Sequence, residues 1–161
     1  MEMEAPDFSA MISTLLDGRV ADLQAFLTPV LLLVCWTLIM WLWMYATRIP
    51  AMQKAGIDPD SARHPGTYGS ELPASVRSVA DNYNHLHEQP TIFYALMLFA
   101  GVTGGADSLM MYLGYAYVGI RVLHSLVQIT SPKVAMRFLV FSLGSLVLFV
   151  MAGKEVIRVF L

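Results

Sequence analysis

The stretch Gly114 to Arg137, GYAYVGIRVLHSLVQITSPKVAMR, decides how this chain folds. It is mostly apolar, but it has an arginine deep within it and a second one near its end. In a helix, spacings of four, four and three residues create one polar face. That face consists of Tyr117, Arg121, Ser125 and Gln128, with His124 at its edge. An arginine near the middle of a membrane helix costs about 2.5 to 3.5 kcal/mol, so Arg121 must face protein, water or a bound anion.

The composition indicates the solvent in which the chain folds. Of the 161 residues, 57% are hydrophobic and 14% are charged, and the mean hydropathy is +0.59. This apolar content exceeds that of ordinary soluble domains and predicts an integral membrane protein. The net charge is −2 and the sequence has no basic run, so we expect no nucleic-acid partner.

The hydropathy pattern predicts an all-α, multi-pass protein with a four-helix transmembrane bundle over residues 26–161. The predicted helices cover residues 26–47, 75–101, 106–130 and 132–158. The first of these has no charge over about twenty residues, which is enough to cross a hydrocarbon core. We place Pro29 in its first turn, where the missing N–H is harmless. Residues 1–25 form an N-terminal segment, either a short interfacial helix or a frayed terminus.

The segments between the predicted helices are richer in polar residues and in helix-breaking residues. Residues 49–75 contain four prolines and three glycines and are predicted to form an exposed loop. Ser131 and Pro132 resemble an N-cap and first position of the last helix. Most basic residues fall in the first and third loops, which we therefore expect on the cytoplasmic side. These residues are Arg48, Lys54, Arg63, Arg77 and Lys133.

The second predicted helix has a polar stripe of its own. It consists of Arg77, Asp81, Asn84 and Glu88. Such a stripe must meet other polar groups in a bilayer, and Arg121 and the start of the last helix are the available partners. The N-terminus of the last helix, with Arg137 nearby, can hold a carboxylate or stabilise a thiolate. An equally weighted interpretation is that these polar groups only hold the helices together.

Three sequence motifs resemble the MAPEG superfamily, the membrane-associated proteins of eicosanoid and glutathione metabolism. The strongest is AYVGIRVLHSLVQITSPKVAMRF, with Arg-x-x-His-Ser and a second arginine sixteen residues after the first. RSVADNYNHLHEQPTIF is similar to the family's second-helix motif, and TRIPAM resembles the basic end of its first helix. The resemblance extends over nearly all of the chain from about Phe26.

The resemblance implies a homotrimer that binds glutathione between subunits near the cytoplasmic face. It identifies Arg137 as the residue that activates the glutathione thiol, with a lipophilic substrate that approaches from the bilayer. The implied glutathione-binding residues are Arg48, Arg77, Asn84, Glu88, Arg121, His124 and Gln128. We expect Glu88 to pair with an arginine, for example Arg121 of a neighbouring subunit. The implied location is a bacterial inner membrane or an ER-type membrane.

Three positions depart from the family pattern. His87 stands where the family has a glutathione-contacting acid, Ala80 replaces an arginine, and Gln128 replaces a frequent tyrosine. The leading hypothesis is a glutathione-dependent transferase or peroxidase that acts on lipophilic electrophiles. The alternatives are a glutathione-independent protein of the same fold that binds another anionic or lipid ligand, and a transport component. We expect no metal site, because His85 and His87 point in different directions on a helix.

Overall fold

A computed structural model describes the backbone of residues 8–58, 60, 71–131 and 133–161, and the side chains of these ranges from Leu23 onward. This part of the chain is helical and contains no strand. Its five helices form a bundle, in which the second predicted membrane span consists of two helices separated by a turn. They are α1 (Phe8–Lys54), α2 (Ala74–His85), α3 (Pro90–Val102), α4 (Ser108–Thr130) and α5 (Val134–Phe160).

Helix α1 is much longer than the sequence predicted. It continues without interruption from the N-terminal segment and includes residues 49–54, which we had assigned to a loop. The placement of Pro29 in a first turn is therefore wrong, because it lies in the interior of the helix. A membrane helix tolerates such a proline where neighbouring helices pack against it. Here Gly114 of α4 makes room, since a Cβ at that position would lie 3.3 Å from the Pro29 Cγ.

The second predicted helix is interrupted where we expected it to be continuous. Leu86–Gln89 form a turn held by short-range hydrogen bonds, including Glu88 N–H to the His85 carbonyl (3.4 Å) and Thr91 N–H to the Glu88 carbonyl (3.2 Å). Pro90 causes the break, because its ring nitrogen cannot donate to the carbonyl four residues earlier. It then serves as the first position of α3.

Of the two remaining helices, α4 and α5, only α5 has a start that contradicts the prediction. Asp107 caps α4, and its carboxylate accepts a hydrogen bond from the Met110 N–H at 2.9 Å. Ser131 ends α4, and Lys133 stands at the N-cap position of α5, so the predicted Ser131 cap of the last helix is wrong. Pro132 lies outside the described residues.

The core lies between the five helices and is built from large apolar side chains. Its fully buried members include Leu33, Met40, Phe93, Met97, Met110, Tyr117 and Met151. The outer surface is also apolar over much of its area, with exposed leucines and phenylalanines on α1 and α5. Within the described residues, Leu23–Lys54 and Val134–Phe160 are long and apolar enough to cross a membrane. That α4 and the α2–α3 segment also cross a membrane stays a prediction.

Candidate functional site

The polar face of α4 lies inside the bundle. Tyr117, Arg121, Ser125 and Gln128 are all buried, as is His124 at the edge of this face. Arg121 is only 1% exposed, so its charge does not face the surroundings of the protein. The Ser125 hydroxyl accepts a hydrogen bond from the Trp36 indole N–H at 3.1 Å, which ties α4 to α1. The 3.6-residue periodicity therefore identified the inward face of this helix.

Arg121 is held by aromatic neighbours on two helices. Its Nε donates to the Tyr117 hydroxyl at 2.9 Å, and its guanidinium carbon lies 5.1 Å from the ring centroid of Phe141 on α5. Gly144, one turn further along α5, leaves space for this packing. The Arg121 Nη2 is buried and has no hydrogen-bond partner among the described residues. The two N–H donors of this nitrogen are therefore unused within the described chain.

A cavity of about 250 Å³ lies next to this arginine, where the end of α2 and the start of α5 meet α4. Its polar lining consists of His85, His124 and Arg137, and its apolar lining of Val134, Phe138 and Phe141. Arg121 itself does not line the cavity, although it packs against the Phe141 ring, which does. The structure therefore brings Arg137 and His124 together and places Arg121 outside the lining.

The charge of Arg137 is not neutralised within the described part of the chain. This residue lies in the first turn of α5 and is half-buried, and no carboxylate there forms an ion pair with it. A cation in a partly apolar cavity attracts an anion more strongly than it would in bulk water, because screening is weaker. The cavity is therefore chemically suited to a small negatively charged group.

Within the described chain Glu88 pairs with a histidine, and its predicted pairing with an arginine, for example Arg121 of a neighbouring subunit, stays a prediction. Its carboxylate lies 2.8 Å from Nδ1 of His85, the last residue of α2. The two residues are three positions apart, a spacing at which side chains meet on successive helical turns. The His85 ring in turn lies 6.2 Å from the His124 ring, at nearly a right angle. Sequence reasoning missed His85 as a cavity residue, because it assumed an unbroken helix.

The remaining predicted site residues are more scattered. Arg77 and Asn84 are exposed on α2, and Arg48 is half-buried near the end of α1. Gln128 is buried, and neither its amide nitrogen nor its oxygen has a partner in the described ranges. Asn82 is also buried, its amide nitrogen and oxygen also lack partners in these ranges, and it was not among the predicted site residues. Within a single chain these residues do not line the cavity of Arg137, and their role in one site stays a prediction.

A second polar cluster lies at the opposite end of α5 and was also missed. Glu155 accepts hydrogen bonds from Arg158 Nε (3.0 Å) and Nη2 (2.6 Å). Arg158 also donates to the carbonyl (3.0 Å) and the hydroxyl (2.6 Å) of Thr103, in the loop between α3 and α4. Lys154 lies 2.7 Å from the Asp107 carboxylate. The charges and hydrogen bonds here satisfy one another, which indicates a structural role.

Comparison with known families decides the classification. The sequence matches the MAPEG family over residues 26–157, which is most of the chain. The chain belongs to the MAPEG family. No curated protein and no solved structure gives a match. MAPEG membership, together with two helices suited to crossing a bilayer, makes this a membrane protein. The family is associated in general with glutathione use, which agrees with an anion-attracting cavity.

Proposed function

We propose that this MAPEG protein is a membrane-bound, glutathione-dependent transferase or peroxidase that acts on lipophilic electrophiles. The observation that carries the proposal is Arg137, a half-buried cation without a carboxylate partner in the described chain, in a cavity with two histidines. A positive charge close to a bound thiol favours its ionised form and lowers its pKa. Arg137 would therefore hold glutathione as the nucleophilic thiolate.

The size of the cavity suggests how glutathione would bind. Pockets that enclose a whole small ligand usually measure about 300 to 1,000 Å³. A cavity of about 250 Å³ is suited to the thiol end of the tripeptide, while the rest must lie outside it. The two carboxylates of glutathione need cationic or amide partners. Arg77 and Asn84 are exposed on α2 and can supply such partners.

A homotrimer would complete this site. Arg77, Asp81, Asn84 and Glu88 are all exposed on the single chain, on a segment whose helix packs against α1 and α4. Polar side chains at such a place are stable in a bilayer only against another polar surface. A neighbouring subunit would supply such a surface to the α2 stripe and to Arg48. The basic loop residues favour a cytoplasmic position for this site.

The second substrate would reach the thiolate from the lipid. Phe138, which lines the cavity, is also among the large exposed apolar side chains of α5. An apolar electrophile that is concentrated in the bilayer could therefore approach the cavity beside this residue. Because the lipid phase supplies the substrate, the protein needs no deep channel of its own.

A calorimetric titration of the detergent-purified protein with glutathione tests the proposal. We expect saturable binding, and turnover of a hydrophobic electrophile that is lost in Arg137→Ala. Lys133→Ala is the matched control, because it removes an equal charge from the same end of α5 without touching the cavity lining. No binding of glutathione at physiological concentrations would refute the proposal. It would favour a glutathione-independent ligand, as the departures at Ala80, His87 and Gln128 suggest.

A further inference from the structure

The His85 side chain is a cavity-lining group to which the proposed function gives no role. It ends α2, contacts Glu88 and shares the cavity with His124 and Arg137. We propose that His85, oriented by Glu88, accepts the proton that glutathione loses when its thiolate forms beside Arg137. This inference rests on the proposed function and adds a residue to the same site.

The contact with Glu88 determines which nitrogen of His85 can act as a base. An ionised carboxylate can only accept hydrogen bonds, so the His85 Nδ1 at 2.8 Å must carry the hydrogen. In a neutral imidazole the other nitrogen, Nε2, then has a free electron pair. Glu88 thus fixes the tautomer and the ring orientation, as the carboxylate does in a Ser-His-Asp triad.

The other two polar groups of the cavity are less suitable proton acceptors. Arg137 carries a guanidinium, which has donors only and cannot accept a proton. His124 is buried, and the described chain offers it ring contacts with His85 and Phe141 but no carboxylate. An imidazolium at His124 would therefore lack a counter-charge, whereas one at His85 would be paired with Glu88.

The proton transfer is balanced without any further reactant. The S–H bond breaks, its electron pair stays on sulfur, and the proton binds to Nε2 of His85. The products are a thiolate beside Arg137 and an imidazolium beside Glu88, so each new charge has an opposite partner. The side chains of His85 and Glu88 are 36% and 62% exposed in the single chain. In the proposed trimer the proton would leave through water at the mouth of the site before the next cycle.

The rate of thiolate formation tests this role. Rapid mixing of the protein with glutathione, followed by ultraviolet absorbance of the thiolate, should show a decrease of about tenfold or more in His85→Gln. Glu88→Gln should decrease the rate less, because the base stays but its orientation is weakened. Ser78→Ala is the control on the same helix and should stay within twofold, since its hydroxyl donates to the Ala74 carbonyl and does not line the cavity.

Chemical rescue separates a proton-transfer role from a structural one. In His85→Ala, added imidazole should restore the rate, because the lost side chain was partly exposed. A His85→Gln rate within twofold of wild type would overturn the role of His85 while the proposed function stands. A slow His85→Ala variant that imidazole does not rescue would also overturn it. Wild-type protein that forms no thiolate at all would overturn both proposals.

Discussion

The ion pair between Glu155 and Arg158 should be the strongest electrostatic interaction in the described chain. The Glu155 side chain is 4% exposed, and both Nε and Nη2 of Arg158 donate to its Oε2. We therefore predict that Arg158→Ala strongly destabilises the protein, because it leaves a buried carboxylate with only Lys154 nearby, at 3.5 Å. Glu155→Gln should also destabilise it, since Arg158 then loses its counter-charge.

The expected loss of unfolding free energy depends on how deeply Glu155 and Arg158 are buried. Removal of one member of a fully buried ion pair costs about 3 to 5 kcal/mol. Arg158 keeps 29% of its side chain exposed, and solvent screens the pair on that side. We therefore expect a coupling energy of about 2 to 3 kcal/mol between the two positions, below the range for fully buried pairs.

A double-mutant cycle isolates this coupling. The free energies of unfolding of wild type, Glu155→Gln, Arg158→Ala and the double variant would be measured by detergent-induced unfolding in mixed micelles. The cycle subtracts the bonds of Arg158 to Thr103, which are lost equally in both variants that lack the arginine. A cycle on the more exposed pair Lys154 and Asp107 is the control and should give about 1 kcal/mol or less. A Glu155–Arg158 coupling no larger than this control would refute the reasoning.

Three further predictions concern stability. Gly105→Ala should cost about 1 to 3 kcal/mol of unfolding free energy by overpacking, because the new Cβ would lie 2.6 Å from Oε2 of Glu155. The control Gly153→Ala should be neutral or stabilising, because the space around Gly153 is open. Tyr117→Phe should cost about 1.5 to 3 kcal/mol, since Arg121 then loses its only hydrogen-bond acceptor in the described chain, and equal thermal stability would contradict this. Burial raises the pKa of Asp107, but hydrogen bonds from Lys154 and from the backbone outweigh burial, so the pKa is lowered overall. The stabilisation that Asp107 contributes to the folded state is therefore present above about pH 4 and is lost as the pH falls through the lowered pKa. Asp107→Asn should flatten this acid-side loss in a pH series of unfolding measurements.

The helical architecture was largely readable from the sequence, because hydrophobic periodicity and span length are local properties. The inward face of α4 followed directly from the spacing of its polar residues. The helix ends were less readable. Pro90 could be accommodated at a kink or at a break, and only the packed structure shows a turn over Leu86–Gln89. The length of α1 was missed because Pro29 and Pro50 suggested boundaries, while both lie inside the helix.

The site was only partly predictable, for a physical reason. Arg137 and His124 were proposed from their spacing together with the family resemblance, and the structure places both in the lining of one cavity. His85 could not be identified, because its position depends on where α2 ends. The amide of Gln128 is buried and has no partner in the described ranges. Such polar contacts depend on how the helices pack, which the spacing of residues along one helix does not fix.

The most direct test of the central claim is the ultraviolet thiolate absorbance of glutathione bound to the wild-type protein and to Arg137→Ala. Both proteins would be measured at saturating glutathione, below the ordinary thiol pKa of about 8.5. An adjacent cation changes the thiolate-to-thiol ratio by about ten- to a thousandfold, so the wild type should show the thiolate band and Arg137→Ala should not. An undiminished thiolate band in Arg137→Ala would contradict the account.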